Sequence, residues 1–484
     1  MPIWLAVLLM LTVLRLVVAG SSPLSADEAY YWTWSRALAP GYLDHPPMTA
    51  LWIRAGTLVF GDTTLGVRLL SPIAAASGSL LLASACMDLL DGPAELRRRQ
   101  ALVAVVLLNA TLLLGVGAVT ITPDTPLLLF WTAALFALGR LIATGRGAWW
   151  LAVGTAIGLA LDSKYTVVLP GAGLALWLVV TRAGRRWLRT PWPWLAGLVA
   201  LLLFTPVLLW NASHGWASFL KQGGRNGDWH PADAGRHMLE LLGGQAGLAT
   251  PFIFILFACG IGRAARHPLS GPPGLSLLAF VTLPAVLVFV EHALGDRVQA
   301  NWPGLLYPAC AIAAASLDWR WKGAAMFGLL LTGLVYVQAT LAPVSLPRRL
   351  DITLVRLAGW QVLAAQLAAD STAGGFIMAD EYGLAGELAF ALPDRAVLAA
   401  EPRWRLFALP HPDIGGHTGL LLRSARRRDP PDRRLFSDSV PLGELRRSRA
   451  GRVAETYCLY RITVRADLPD ALRAEIVRLP SARR

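Results

Sequence analysis

Apolar residues come in runs of close to 20, and the polar ones collect in the breaks between them. A helical run of that length crosses a hydrocarbon core of about 30 Å. The stretches 3–19, 67–90, 101–119, 126–143, 148–161, 167–180 and 195–209 each predict a span, and so do 241–261, 275–290, 303–317 and 324–341. The pattern therefore predicts an all-α polytopic membrane protein of about eleven transmembrane helices. Asp162 and Lys164 end one of these runs abruptly. The first run lacks a basic leading segment and is interrupted by Arg15, so it reads as a retained helix rather than a cleaved signal.

Beyond residue 343 the pattern changes. No further run is long enough to span, and arginine becomes frequent. The periodicity predicts an amphipathic helix over 354–369, a short strand over 376–380 and a helix over 382–391. Further strands are expected over 419–422 and 457–464. Two domains follow: a membrane domain over 1–342 and a small α/β domain over 343–484, outside the membrane.

Arginine and lysine in the short loops set the orientation. One set of alternate loops carries Arg97, Arg98 and Arg99, Arg140 and Arg146, then Arg182, Arg185, Arg186 and Arg189. Arg263 and Arg266, then Arg320 and Lys322, continue it. That side is expected to be cytoplasmic. The opposite loops, 27–47, 120–126, 162–166, 211–237 and 291–302, hold the unusual polar residues, so the working face is expected to be extracytoplasmic. The C-terminal domain falls on the same side, because long domains translocate largely regardless of charge.

Composition agrees. Hydrophobic residues make up 55% and charged residues 15%, with mean hydropathy +0.51, whereas a soluble chain is about 25% charged. The net charge of +13 is divided between cytoplasmic loops and the C-terminal domain. That division speaks for topology and for contact with anionic lipid headgroups, not for nucleic acid. Of the four cysteines, only Cys458 lies in the C-terminal domain, so no disulfide forms within it, and no paired-cysteine zinc motif is present.

The densest chemistry lies just after the first span. Asp27-Glu28-Ala29-Tyr30-Tyr31-Trp32 is followed by Gly41-Tyr42-Leu43-Asp44-His45-Pro46-Pro47. Asp27 is placed to take a proton from an attacking hydroxyl, and Glu28 adjoins it. The plainer alternative is that Ser25 or Asp27 caps a helix over 29–38, with the aromatics marking the membrane interface. His45 stands before two prolines that fix the backbone, so it can contact a phosphate or carry a proton. Asp124 lies between Pro123 and Pro126 at the mouth of a span, either as a functional acid or as a helix cap. Lys164 either snorkels or holds a phosphate, with Tyr165 beside it. Arg225, Arg297, Asn301 and Trp302 add cations for a phosphate and an aromatic face for a sugar. No metal cage is evident, although an acid pair with a histidine could bind a divalent cation. No cofactor is otherwise expected.

These motifs resemble the membrane glycosyltransferases of the GT-C fold, of the family 39 type. That branch contains the protein O-mannosyltransferases and the lipid A aminoarabinose transferases. The resemblance rests on the two motifs just quoted. It continues through Gly66-Val67-Arg68-Leu69, Thr122-Pro123-Asp124-Thr125-Pro126-Leu127, Ser163-Lys164-Tyr165-Thr166 and Asn301-Trp302-Pro303. It covers roughly the first 310 residues and extends loosely over 379–390. It implies a polyprenyl-phosphate sugar as donor and Asp27 as the catalytic base, with Asp124 as a second functional aspartate. In the aminoarabinose branch a lysine that contacts the donor phosphate tends to precede the Pro-Pro pair. Here the residue is His45, so Lys164 or Arg297 is the alternative phosphate contact.

The expected reaction is an inverting displacement at the periplasmic face of a bacterial inner membrane, with a lipid, polysaccharide or protein as acceptor. A transporter or flippase for a lipid-linked saccharide is the chief rival. Its acids, however, belong near mid-helix, and here they lie at helix ends. A membrane acyltransferase lacks a nucleophile arrangement in the spans, and a scaffold has no need for such polar loops.

Overall fold

The computed structural model describes residues 3–224, 230–369 and 375–482. The fold is mostly helical, with a small sheet domain near the C-terminus. Among the described residues, six helices are long and apolar enough to span a membrane: Ile3–Ser21, Thr64–Leu89, Asp124–Thr144, Trp192–Ser213, Pro273–Ala293 and Lys322–Thr340. Two bent pairs raise the number to eight. Tyr165–Val180 turns by 92° into Arg182–Leu188, and Pro231–Ala249 turns by 104° into Pro251–Ala264. Six to eight spans thus stand where the apolar runs suggest about eleven. The difference lies in runs that fold short or broken. Trp149–Leu161 has only 13 residues, about 20 Å of helix. The run over 241–261 breaks at Thr250, which has φ 69 and precedes Pro251.

The chain divides into two compact units. One comprises Met1–Arg15, Asp44–Thr49 and Ser71–Leu334, and the other Leu16–Leu43, Ala50–Leu70 and Val335–Arg484. In the first unit small residues let helices approach closely, the device that replaces the hydrophobic effect in lipid. A Cβ on Gly173 would stand 2.1 Å from the Phe280 carbonyl oxygen, and one on Gly154 2.3 Å from that of Ala196. Arg15, the charge inside the first apolar run, is buried. Its guanidinium donates to Asn109 Oδ1 at 2.9 Å, and Asn109 Nδ2 donates to Ser79 Oγ at 2.9 Å. A charge among apolar helices thereby gains a polar partner.

In the second unit, helix Ala26–Arg36 begins with a capping box. Ser25 Oγ accepts from the Glu28 backbone, while the Glu28 carboxylate accepts from the Ser25 N–H at 2.9 Å. Its C-terminal end is held by Tyr42, whose hydroxyl donates to the Trp34 and Ala37 carbonyls and accepts from the Ala39 N–H. The expected helix over 29–38 is thus present, begins at Ala26 and is capped by Ser25 rather than Asp27.

The same unit carries a mixed sheet of six strands. These are β1 (Ile377–Ala379), β2 (Val397–Ala400), β3 (Thr418–Ser424), β4 (Phe436–Arg449), β5 (Arg452–Val464) and β6 (Ile476–Arg478), in the order β4-β5-β3-β1-β2-β6. β1 runs parallel to β2 and β3, and the remaining pairs are antiparallel. Expected strands correspond to β1, β3 and β5, while β2, β4 and β6 were not anticipated. β4 and β5 join through Ala450 and Gly451, both at positive φ, as a tight hairpin requires. The helix expected over 354–369 is broken into Ile352–Arg356 and Trp360–Ala369. Gly359 lies between them at φ 86, where a Cβ would meet the Ser448 carbonyl oxygen at 2.6 Å.

Candidate active site

Asp27 occupies the first turn of helix Ala26–Arg36 and is half-buried. A helix N-terminus favours the ionised carboxylate. Tyr382, the first residue of helix Tyr382–Ala391, directs its hydroxyl at Asp27 Oδ1, 3.3 Å away. The two helices lie close because Gly383 and Gly386 face Ala26, Ala29 and Tyr30. A Cβ on Gly386 would stand 2.9 Å from the Ala29 carbonyl carbon and from the Tyr30 nitrogen.

An aromatic cluster surrounds this pair. Tyr30 lies 4.5 Å from the Tyr382 ring, 5.1 Å from Trp34 and 5.7 Å from Trp404, centre to centre. Arg403 places its guanidinium 4.0 Å from the Tyr382 ring centre and donates to the Tyr30 hydroxyl at 3.2 Å. Its Nε stands 3.1 Å from the Glu401 carboxylate. Tyr30, Trp32 and Trp34 are buried inside the protein rather than forming an interfacial belt. Glu28 points away from Asp27. It lies fully inside the protein, gripped by Arg68 at 2.6 and 2.7 Å and by Ser25.

In the first unit, hydrogen bonds join five loops. Asp124 opens helix Asp124–Thr144 but makes no side-chain cap bond there, since the capping position is Pro123. One of its oxygens meets Lys164 Nζ at 2.8 Å, and the other accepts from Asn301 Nδ2 at 2.7 Å. Lys164 is buried. Asp44 pairs with Lys221 at 2.7 Å, and its carbonyl accepts from Gln222. His45 follows it in a half-buried turn. The Met48 N–H donates to the Asp162 carbonyl. Tyr165 shares a 2.9 Å hydrogen bond with Ser218 and packs its ring on Phe219.

The structure therefore brings together Asp44, Asp124, Lys164, Tyr165 and Asn301 within one bonded set of loops. Arg297 is mostly exposed and pairs with Glu240 at 3.0 Å, and Trp302 packs near His292. Arg225 lies outside the described residues. Among the described residues, no three His, Cys, Asp or Glu side chains gather as a cage for a metal ion.

Sequence reasoning gave no site role to Tyr382, Arg403 or Arg68. A lone arginine ahead of an apolar run was the available signal for Arg68. Tyr382 and Arg403 carry no such mark.

The helical fold with its appended sheet is of the GT-C type, and its likenesses are to membrane glycosyltransferases. Residues 44–210 match the family model described as dolichyl-phosphate-mannose-protein mannosyltransferase. A relative from Rhizobium johnstonii, lipid A galacturonosyltransferase RgtD, is 29% identical over 380 residues. The alignment spans 76% of this chain and 77% of that protein. ArnT from Cupriavidus metallidurans bound to undecaprenyl phosphate superposes with a TM-score of 0.62 at 14% identity, covering 95% of this chain and 98% of ArnT. The apo state of ArnT gives a TM-score of 0.59 at 15% identity, covering 95% and 97%.

Proposed function

We propose that this protein is a glycosyltransferase that moves a sugar from a polyprenyl-phosphate carrier to lipid A or a related envelope glycolipid. The site is extracytoplasmic and the protein resides in a bacterial inner membrane. We also keep residue 342 as the boundary between the membrane domain and an outer domain. The lipid A acceptor is supported by the likeness to a lipid A galacturonosyltransferase. The lipid-phosphate donor is supported by the likeness in fold to a transferase solved with undecaprenyl phosphate.

The observation that carries the chemistry is Asp27. It is a half-buried carboxylate at a helix N-terminus, a few residues beyond the first span and within reach of a tyrosine hydroxyl. The acceptor hydroxyl attacks the anomeric carbon as Asp27 removes its proton. The bond from that carbon to the phosphate oxygen breaks, and its electron pair leaves with polyprenyl phosphate. Attack opposite the leaving group inverts the anomeric centre. The leaving group is already a stable anion, so cations rather than an acid assist its departure.

Lys164 is the cation assigned to the donor phosphate, with Asp124 and Asn301 orienting it, and His45, Lys221 and Arg297 are secondary candidates. Tyr165, Asp44 and Trp302 belong to the proposed donor-binding surface. Glu28 is assigned to holding the Asp27 helix rather than to proton transfer, because Arg68 and Ser25 occupy its oxygens.

Mass spectrometry of envelope lipids tests this reading. Cells expressing the chain should accumulate lipid A heavier by one sugar, with galacturonic acid the first to look for. Unchanged lipid A beside a newly glycosylated protein or polysaccharide would overturn the acceptor assignment.

A further inference from the structure

We propose that Tyr382, backed by Arg403, is the positioning residue that aims Asp27 and keeps it ionised for proton abstraction. This inference rests on the assignment of Asp27 as base. A free carboxylate rotates about its last bond, and only one of its oxygens can face the acceptor hydroxyl. A hydroxyl donating to Oδ1 restrains that rotation. The contact is 3.3 Å, and catalytic hydrogen bonds of this kind tighten when substrate binds.

Arg403 makes this tyrosine different from an ordinary buried one. Its guanidinium lies 4.0 Å from the Tyr382 ring centre. A cation on the ring face draws electron density from the phenol and strengthens its O–H as a donor. Arg403 is itself fixed, by the Tyr30 hydroxyl and by Glu401. The chain Glu401–Arg403–Tyr382–Asp27 thus starts from a residue of the short turn before Pro402–Leu406 and ends at the proposed base.

Among the other charged groups on these elements, Glu28 pairs with Arg68 and Arg36 with Asp62 at 2.6 Å. Asp380 pairs with Arg423 and Arg427, Glu381 stands at the N-cap of helix Tyr382–Ala391, and Glu387 is buried on that helix. A donor to the ionised carboxylate favours that form. Losing it raises the pH below which the base is protonated and inactive.

Rates measured across pH on the purified full-length protein test this. The probes are lipid A and a polyprenyl-phosphate galacturonic acid. Tyr382→Phe keeps the ring against Tyr30 and removes only the hydroxyl. It should lower kcat about tenfold, with donor KM within about twofold. It should also move the acid limb of the profile up by about one pH unit. Arg403→Gln should move the limb the same way by less.

An unchanged rate and acid limb in both variants, with Asp27→Asn inactive, overturns the role of Tyr382 and leaves Asp27 as base. An Asp27→Asn protein that still turns over overturns both.

Discussion

Arg68 holds Glu28 with two arms, Nε 2.6 Å from one carboxylate oxygen and Nη2 2.7 Å from the other, and neither side chain reaches solvent. The remaining guanidinium nitrogen donates to Ser22 and to the Ala19 carbonyl. The pair ties the end of the first helix to the capping box that starts the Asp27 helix. Removing one partner of a buried pair strands the other charge, at a cost of about 3–5 kcal/mol. Arg68→Met should lower the unfolding temperature in detergent sharply, and the double variant Arg68→Met with Glu28→Met should recover much of the loss. Equal stability of the single variant and the wild type would remove the structural role given to this pair.

The approach of helix Tyr382–Ala391 to helix Ala26–Arg36 depends on glycine. A Cβ at position 386 would lie 2.9 Å from backbone atoms of Ala29 and Tyr30, which cannot yield as a side-chain tip can. Gly386→Ala should destabilise by about 1–3 kcal/mol and reduce transfer more than donor binding, because it displaces the Asp27 helix. Thermal melts paired with turnover and donor-affinity measurements check both parts.

Glu387 is buried beside a cavity of about 490 Å³ that is also lined by Trp360 and Phe390, and its Oε1 has no hydrogen-bond partner among the described residues. Burial pushes its carboxyl well above the ordinary range, against the pull of Arg447. The sign follows. The folded state holds the proton more tightly than the unfolded state, so the stabilisation is full below the unfolded value of about 4.3 and is lost as pH rises through the folded value. Glu387→Gln should therefore match the wild type in stability near pH 4 and exceed it at neutral pH. Melting temperatures across pH check this, and a variant less stable at pH 7 would contradict it.

Some of this organisation was legible in the sequence. The run over 3–19 became Ile3–Ser21 with little change, because a span needs only length and hydrophobicity. Ser25 and Glu28 stand three apart, the spacing of a capping box, and the structure forms one. Partners were not legible. Asp124 meets Lys164 and Asn301 across 40 and 177 residues, and Asp27 meets Tyr382 across 355. Local spacing marks a residue as unusual without naming what folds against it. The bend at Thr250 was hidden for a related reason, since the run through it stays apolar while the backbone turns.

The proposed donor contact makes a prediction across pH. Histidine ordinarily titrates near 6.5. If Lys164 supplies the main charge, Lys164→Ala should weaken apparent donor affinity at least about tenfold. A steep profile that disappears in His45→Ala would transfer the role to His45.

The most direct test is single-turnover transfer by Asp27→Asn. Asparagine keeps the size of the side chain and its place in the first turn of Ala26–Arg36, but cannot accept the proton. Donor binding and melting temperature should stay near wild type, while transfer falls about 100- to 10,000-fold, the range of a general base. Transfer within about threefold of wild type, in a protein that binds donor normally, would contradict Asp27 as the base.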